Sequence, residues 1–175
     1  ITGSLGGASQ WINDQQKLYG SMDDLLDEPP PVAARIALKE GRWERSRWSG
    51  VELDGKTLGV VGFGRIGQQV ARRALGLGMR VVAYDPFVGE DRFRELGIEH
   101  ASTLNDVYGV ADVVSLHSPL TAETRGMIGR EAIAAMRSGV RIVTAARAAL
   151  IDEEALIEGI RSGQVAGAAL DVFSG

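Results

Sequence analysis

From Leu58 onward, short unbroken apolar runs alternate with segments in which apolar residues recur every few positions. The runs are Leu58-Gly59-Val60-Val61, Arg80-Val81-Val82-Ala83-Tyr84, Asp112-Val113-Val114-Ser115-Leu116, Val140-Arg141-Ile142-Val143 and residues 166–172. Runs of about five residues, rich in Val and Ile and apolar on both faces, fit strands of a parallel sheet covered on both sides. Between them, Ile66, Val70 and Ala74 recur every four residues and predict one helix face; 131–136 and 153–160 show similar spacing. Asp152-Glu153-Glu154 places negative charge at a helix start, where the dipole is positive. Alternation of strand and helix, joined by right-handed crossovers, predicts an α/β domain built on a doubly wound parallel sheet.

Residues 1–50 follow neither rhythm. They hold all three tryptophans, Trp11, Trp43 and Trp48, and show no clear strand. Pro29-Pro30-Pro31 should stop any helix in the acidic stretch before them. Residues 32–40, with Ile36 and Leu38 among alanines, predict a short helix. The expected division is an irregular or helical N-terminal segment, 1–50, and a domain over 51–175. Trp43 and Trp48 are expected to anchor the first segment or a subunit contact rather than to bind substrate.

Composition narrows the function. The 175 residues carry a net charge of −4, are 45% hydrophobic and contain no cysteine. A chain of this size buries roughly 70% of its unfolded surface, enough for a core without cross-links. The lack of cysteine excludes a disulfide scaffold, a thiolate nucleophile, a Cys-ligated zinc and an iron–sulfur cluster. Mild acidity argues against a nucleic-acid partner, which normally meets a basic face. No stretch approaches the roughly 18 apolar residues of a membrane span. The N-terminus lacks the basic and apolar regions of a secretory signal, so the expected setting is cytoplasmic. The chain opens on Ile1 rather than Met and reads as a fragment or a processed chain.

Glycine is enriched, at 23 residues, and one cluster carries chemistry. Gly62-Phe63-Gly64-Arg65-Ile66-Gly67 fits G-x-G-x-x-G directly after a predicted strand and at the start of a predicted helix. In that context the pattern indicates a Rossmann dinucleotide-binding turn. Gly62 permits the tight turn, Gly64 lets the backbone approach a pyrophosphate, and Gly67 lets helix and strand pack closely. The amides of the helix's first turn would face the phosphates. Such a turn expects an acid about 20 residues on, and Asp85 lies 18 residues after Gly67 at the tip of the second predicted strand. A carboxylate there can accept both ribose hydroxyls and would repel a 2′-phosphate, which favours NAD over NADP. Arg92 and Arg94 are nearby cations, read as lying on a solvated helix face. A methyltransferase on a similar fold is the physical rival, since it too uses an acid at that strand tip.

Several segments together resemble the D-isomer-specific 2-hydroxyacid dehydrogenases, most closely those acting on D-3-phosphoglycerate. They are Gly41-Arg42-Trp43-Glu44-Arg45, Gly55-Lys56-Thr57-Leu58-Gly59, Tyr84-Asp85-Pro86, and Leu116-His117-Ser118-Pro119-Leu120-Thr121 with Glu123-Thr124. Asp152-Glu153-Glu154-Ala155-Leu156 and Ala168-Ala169-Leu170-Asp171-Val172-Phe173 complete the set. The likeness runs over about 39–173, and residues 1–31 do not share it. The resemblance implies that Arg65 and Ile66 hold the pyrophosphate through their backbone and that Asp85 takes the ribose. It implies that Ser118, Pro119 and Ala145 line the cofactor, that Asp171 binds the nicotinamide carboxamide, and that Arg147 is the catalytic arginine. That guanidinium would grip a carboxylate or carbonyl through a bidentate fork. The implied partners are NAD, a small 2-hydroxy or 2-oxo acid and a second copy of the chain in a homodimer.

Two departures from the family pattern matter. The run Thr144-Ala145-Ala146-Arg147-Ala148-Ala149 has Thr144 in place of the family's asparagine and alanines in place of glycines after the arginine. Ala148 and Ala149 would penalise any positive φ, so Arg147 is expected to be displaced. The family's acid/base histidine and its glutamate lie beyond the Leu-Asp-Val-Phe segment, and the given sequence closes at Ser174-Gly175. His117 ends a buried strand and reads as structural; His100 reads as a loop residue. The expectation is a chain that binds NAD and turns over hydroxy acids poorly. A non-enzymatic NAD-binding regulatory module is the alternative.

Overall fold

The computed structural model describes residues 36–43 and 51–171. Expectations for Trp11, Trp48, the Pro29-Pro30-Pro31 run, residues 32–35 and Val172-Phe173 lie outside the described residues. The chain forms two units, Ile1–Val51 and Glu52–Gly175. In the first, residues 36–39 are helical. The helix closes at Gly41, whose φ is 76°, as the amides of Gly41 and Arg42 reach back to the carbonyls of Leu38 and Ala37. That paired closure is the Schellman ending of a helix.

In the second unit the strands are β1 (Thr57–Val61), β2 (Arg80–Tyr84), β3 (Glu99–His100), β4 (Val113–Leu116), β5 (Val140–Thr144) and β6 (Val165–Leu170). The helices are α1 (Arg65–Gly76), α2 (Glu90–Glu95), α3 (Leu104–Tyr108), α4 (Arg130–Ala135) and α5 (Glu153–Arg161), with a single 3₁₀ turn at Ala148–Leu150. The six strands are all parallel, in the order β3-β2-β1-β4-β5-β6. The order reverses between β1 and β4. In open sheets of this kind, the crevice at the carboxyl ends of the strands on either side of that reversal is where ligands bind.

β1, β2 and β4 are buried on both faces, and their alternate residues go to two cores, whereas β5 and β6 are not covered as the sequence suggests: Val143 is 38% exposed and Ala166, Ala168 and Ala169 are exposed. Leu58 and Val60 of β1, with Val81 and Ala83 of β2, join Ala71 and Ala74 of α1 and Phe93 of α2. Val61 and Val82 point the other way, toward Val107, Val114, Leu116, Ile142 and Leu156. Two helices are capped by side chains. Thr103 and Asp106 form a reciprocal capping box on α3, and Asp152 accepts the Ala155 amide at the start of α5.

Two expectations need correction here. The buried stripe of α1 is Gly67, Ala71 and Ala74, whereas Ile66 is 68% exposed. At 3.6 residues per turn Ile66 lies about 100° round the helix from Gly67, off the buried stripe. His100 is not in a loop: it pairs with Ala83 in the two-residue edge strand β3. Its ring lies 4.5 Å from that of Phe93. A strand this short leaves no apolar run to read.

Tyr108 is buried in the core that includes α3 and α5, and its hydroxyl has no hydrogen-bond partner among the described residues. Burial pushes its phenol up from 10.0 to about 12. The unfolded chain therefore loses this proton before the folded one. The stability contributed is intact below pH 10 and is lost as pH climbs toward 12. Tyr108→Phe is expected to hold or raise stability near neutrality, by up to about 1 kcal/mol, and to flatten the decline above pH 10. Urea midpoints of both proteins at neutral and at alkaline pH check this.

Candidate functional site

The glycine turn follows β1 at the sheet's reversal point. Gly62 has φ 93°. A Cβ on it would stand 2.7 Å from the carbonyl carbon of His117 and the amide nitrogen of Ser118, so only glycine fits between β1 and the end of β4. A Cβ on Gly67 would meet the Gly62 carbonyl oxygen and close the gap between turn and helix. Gly64 differs: a Cβ there would meet nothing within 4 Å. The protein's own packing thus demands Gly62 and Gly67, while the bare face of Gly64 opens to solvent.

The residue between the first two glycines is pinned on three sides. The Phe63 ring is fully buried and stacks on Phe93, with centroids 4.4 Å apart and planes 13° apart. Its amide donates to Asp85 Oδ2 at 2.8 Å, and its carbonyl accepts from Gln68 Nε2 at 3.0 Å. These contacts fix the peptide that leads into α1. Sequence reasoning gave Phe63, Phe93 and Gln68 no part in the site. The only available signal was a large apolar residue at the variable position of the turn.

α1 also begins without negative charge. Gly64 caps it with no side-chain bond, and its first turn contains no acid. The other helices of the second unit carry an acid in their first turn, among them Glu90 and Asp91 on α2 and Glu131 on α4. The first amides of any helix lack intrahelical partners, and here they include those of the exposed Arg65 and Ile66, next to the exposed Gly64. An anion at that position would complement both the amides and the dipole.

Asp85 stands at the tip of β2, half-buried, with its carboxylate turned toward the glycine turn. Oδ2 takes the Phe63 amide, and Oδ1 takes the Phe87 amide at 2.9 Å. Each carboxylate oxygen keeps a further lone pair for an incoming hydroxyl. The neighbouring Phe87 is 93% exposed and offers no cation.

The remaining candidate residues follow β4, β5 and β6 at the same edge. Ser118 donates through Oγ to the Val61 carbonyl at 3.3 Å, and His117 donates its amide to the same oxygen at 2.7 Å. Ser118 is therefore brought against the glycine turn, with the exposed Pro119 next to it. Ala145 and Arg147 are exposed after β5, and Asp171 is exposed after β6, its amide donating to the Thr144 carbonyl at 3.0 Å. These three share the carboxyl edge of the sheet, and among the described residues no hydrogen bond joins them to the glycine turn.

The loop around Arg147 is held by short-range bonds of its own. Thr144 is 4% exposed and its hydroxyl accepts the Ala146 amide at 3.1 Å. Ala148 and Ala149 lie in the 3₁₀ turn, and among the described residues no non-glycine residue has a positive φ. Ala148 and Ala149 thus occupy ordinary right-handed backbone, with no positive φ for a side chain to oppose. Arg147 donates through Nη1 to the carbonyl of Ala146 at 3.3 Å.

Neither histidine is free. His117 Nε2 lies 2.9 Å from Ser115 Oγ, and burial lowers its pKa, which favours the neutral ring. His100 packs on Phe93 and lies 3.7 Å from Glu90. Among the described residues no group of three or more His, Asp or Glu could hold a metal ion. No helix of theirs is long and apolar enough to cross a membrane.

The chain has close relatives. The family model for the D-isomer specific 2-hydroxyacid dehydrogenase NAD binding domain matches residues 32–175. The chain is 47% identical over 162 residues to the D-3-phosphoglycerate dehydrogenase of Bacillus subtilis, covering 93% of the chain and 30% of that protein. It is 51% identical over 140 residues to the hydroxypyruvate reductase of Thermotoga maritima, covering 80% of the chain and 44% of that protein. A solved structure of the pyruvate reductase of Chlamydomonas reinhardtii superposes with a TM-score of 0.77 at 38% identity, over 82% of this chain and 42% of that one. The chain spans less than half the length of each.

Proposed function

The chain belongs to the D-isomer specific 2-hydroxyacid dehydrogenase family through its NAD-binding domain, and from that premise we propose that residues 51–175 hold NAD at the β1–α1 corner in the service of hydride exchange with a D-2-hydroxy acid resembling 3-phosphoglycerate. Residues 1–50 form a separate N-terminal segment in this reading. The observation that carries it is the opposition of two features across one turn: the open face of Gly64 beside uncapped helix amides, and the Asp85 carboxylate turned toward it. The residues present fit a dinucleotide. Gly64, Arg65 and Ile66 would take the diphosphate on their amides, and Asp85 would accept the hydroxyls of the adenosine ribose. Ser118, Pro119 and Ala145 would line the cofactor, and Asp171 would take the carboxamide.

Bound NAD would supply the hydride acceptor. The protein's own work is then to orient and to move a proton. Arg147, exposed at the end of β5, would grip the substrate carboxylate with its planar fork. Oxidation of an alcohol also needs a group near neutral pKa to take the hydroxyl proton. Both histidines of this sequence are engaged elsewhere, so the polypeptide as given is proposed to bind NAD and to oxidise hydroxy acids poorly. Arg147 and the family match favour this enzyme lineage over a purely regulatory module. A homodimer in the cytoplasm completes the proposal.

Calorimetric titration of the chain with NADH, NADPH and S-adenosylmethionine tests the reading. NADH is expected to bind more tightly than NADPH, and S-adenosylmethionine not at all. Asp85→Ala is expected to weaken NADH about tenfold, since it removes a charge-assisted acceptor. Tighter NADPH than NADH in the unaltered chain would contradict the cofactor assignment.

A further inference from the structure

Asp85 is not alone in setting the character of the ribose corner. A chain of hydrogen bonds runs from it to a cation on α2. Asp85 Oδ2 accepts the Phe63 amide at 2.8 Å, the Phe63 carbonyl accepts Gln68 Nε2 at 3.0 Å, and Gln68 Oε1 accepts from Arg92. Arg92 presents one whole edge of its guanidinium to that oxygen, with Nη2 at 2.8 Å and Nε at 3.2 Å. Its third nitrogen, Nη1, pairs with Glu95 at 2.9 Å. Arg94, by contrast, is far out in solvent and paired with Asp91.

A guanidinium edge of this kind is the group that best receives a phosphate monoester. Arg92 lies one side chain away from the glycine turn, yet Gln68 occupies the edge that would do so. We propose that Gln68 is a specificity-determining residue of this corner: it holds the Arg92 guanidinium on α1 and so withholds it from a 2′-phosphate. Discrimination against a phosphorylated ribose then rests on the Asp85 carboxylate and the Gln68 amide together. This inference rests on the NAD reading above. The Arg92–Glu95 pair engages only Nη1 and leaves the Nε–Nη2 edge to Gln68.

The test is the ratio of NADPH to NADH affinity in the chain, read by calorimetry. Because the two ligands differ only in the 2′-phosphate, a purely structural effect of a substitution cancels in the ratio. Asp85→Asn is expected to move the ratio toward NADPH. Adding Gln68→Ala is expected to move it further, by about fivefold, the size of a new exposed ion pair. Adding Gln68→Glu instead, which keeps an acceptor for Arg92, is expected to give no further gain. Arg92→Leu on top of Gln68→Ala is expected to cancel the gain. Gln68→Ala in the native Asp85 background is expected to show the same direction at smaller size, so the test does not depend on Asp85→Asn folding. No gain from Gln68→Ala, or a gain that survives Arg92→Leu, would overturn the proposal. Failure of the unaltered chain to bind NADH would instead overturn the NAD reading, and is seen separately.

Discussion

Gly62→Ala is expected to destabilise the domain by roughly 2–5 kcal/mol, combining the cost of a forced backbone conformation with that of overpacking. The two costs arise at the same atom. With φ at 93° the residue sits where an L side chain is strained. Its Cβ would also stand 2.7 Å from two backbone atoms of His117 and Ser118. Those atoms cannot retreat freely. The His117 amide is bonded to the Val61 carbonyl at 2.7 Å, and Gly62 itself donates to the Tyr84 carbonyl at 2.9 Å. Yielding to a methyl group would part β1 from β4 or β1 from β2 at the sheet's central edge. Thermal unfolding without ligand measures this, and a fall in Tm on the order of 10 °C is the expected size for a domain of this length. An unchanged Tm would show that the turn is looser than its contacts indicate.

Two residues on, the opposite outcome is expected. Gly64→Val should lower Tm by only a few degrees, since its Cβ meets nothing within 4 Å and its φ of −70° suits any residue, leaving a poorer N-cap, about 1 kcal/mol, as the cost. Affinity for NADH should nevertheless fall on the order of 100-fold. A branched side chain there would stand over the first amides of α1 and keep a diphosphate from reaching them. Losing one or two hydrogen bonds to a charged group costs about 3 kcal/mol, which is that factor in Kd. The contrast separates glycine kept for the fold from glycine kept for the ligand within a single turn. Wild-type affinity in Gly64→Val would mean that the ligand lies elsewhere.

The central strands β1, β2 and β4 were legible in the sequence because they are buried on both faces. Val60 and Val61 both read as apolar, although they serve different cores. The edge strand β3 was not legible, since Glu99 and His100 carry no apolar pattern and are held by pairing with β2. Periodicity placed Ile66 on the same helix face as Ala74, but a spacing of four drifts by about 40° per step on a 3.6-residue helix, and two steps leave the buried stripe. Gly62, Gly67 and Asp85 could be read because a turn, a close approach and a strand tip each restrict residue type. Phe63, Phe93 and Gln68 could not, because a stacked ring and an amide bridging two segments follow only from the fold. The backbone at Ala148 and Ala149 was not legible for the same reason: the local turn, a 3₁₀ turn here, decides whether glycine is needed.

The central claim is that a dinucleotide diphosphate lies on the amides that open α1, with Asp85 beside it. Amide chemical-shift mapping of the ¹⁵N-labelled chain during titration with NADH reads this directly. The largest shifts are predicted at Gly64, Arg65, Ile66 and Gly67, with Asp85 and Phe87 next. Shifts centred on the opposite ends of the strands, or none at saturating NADH, would contradict the account.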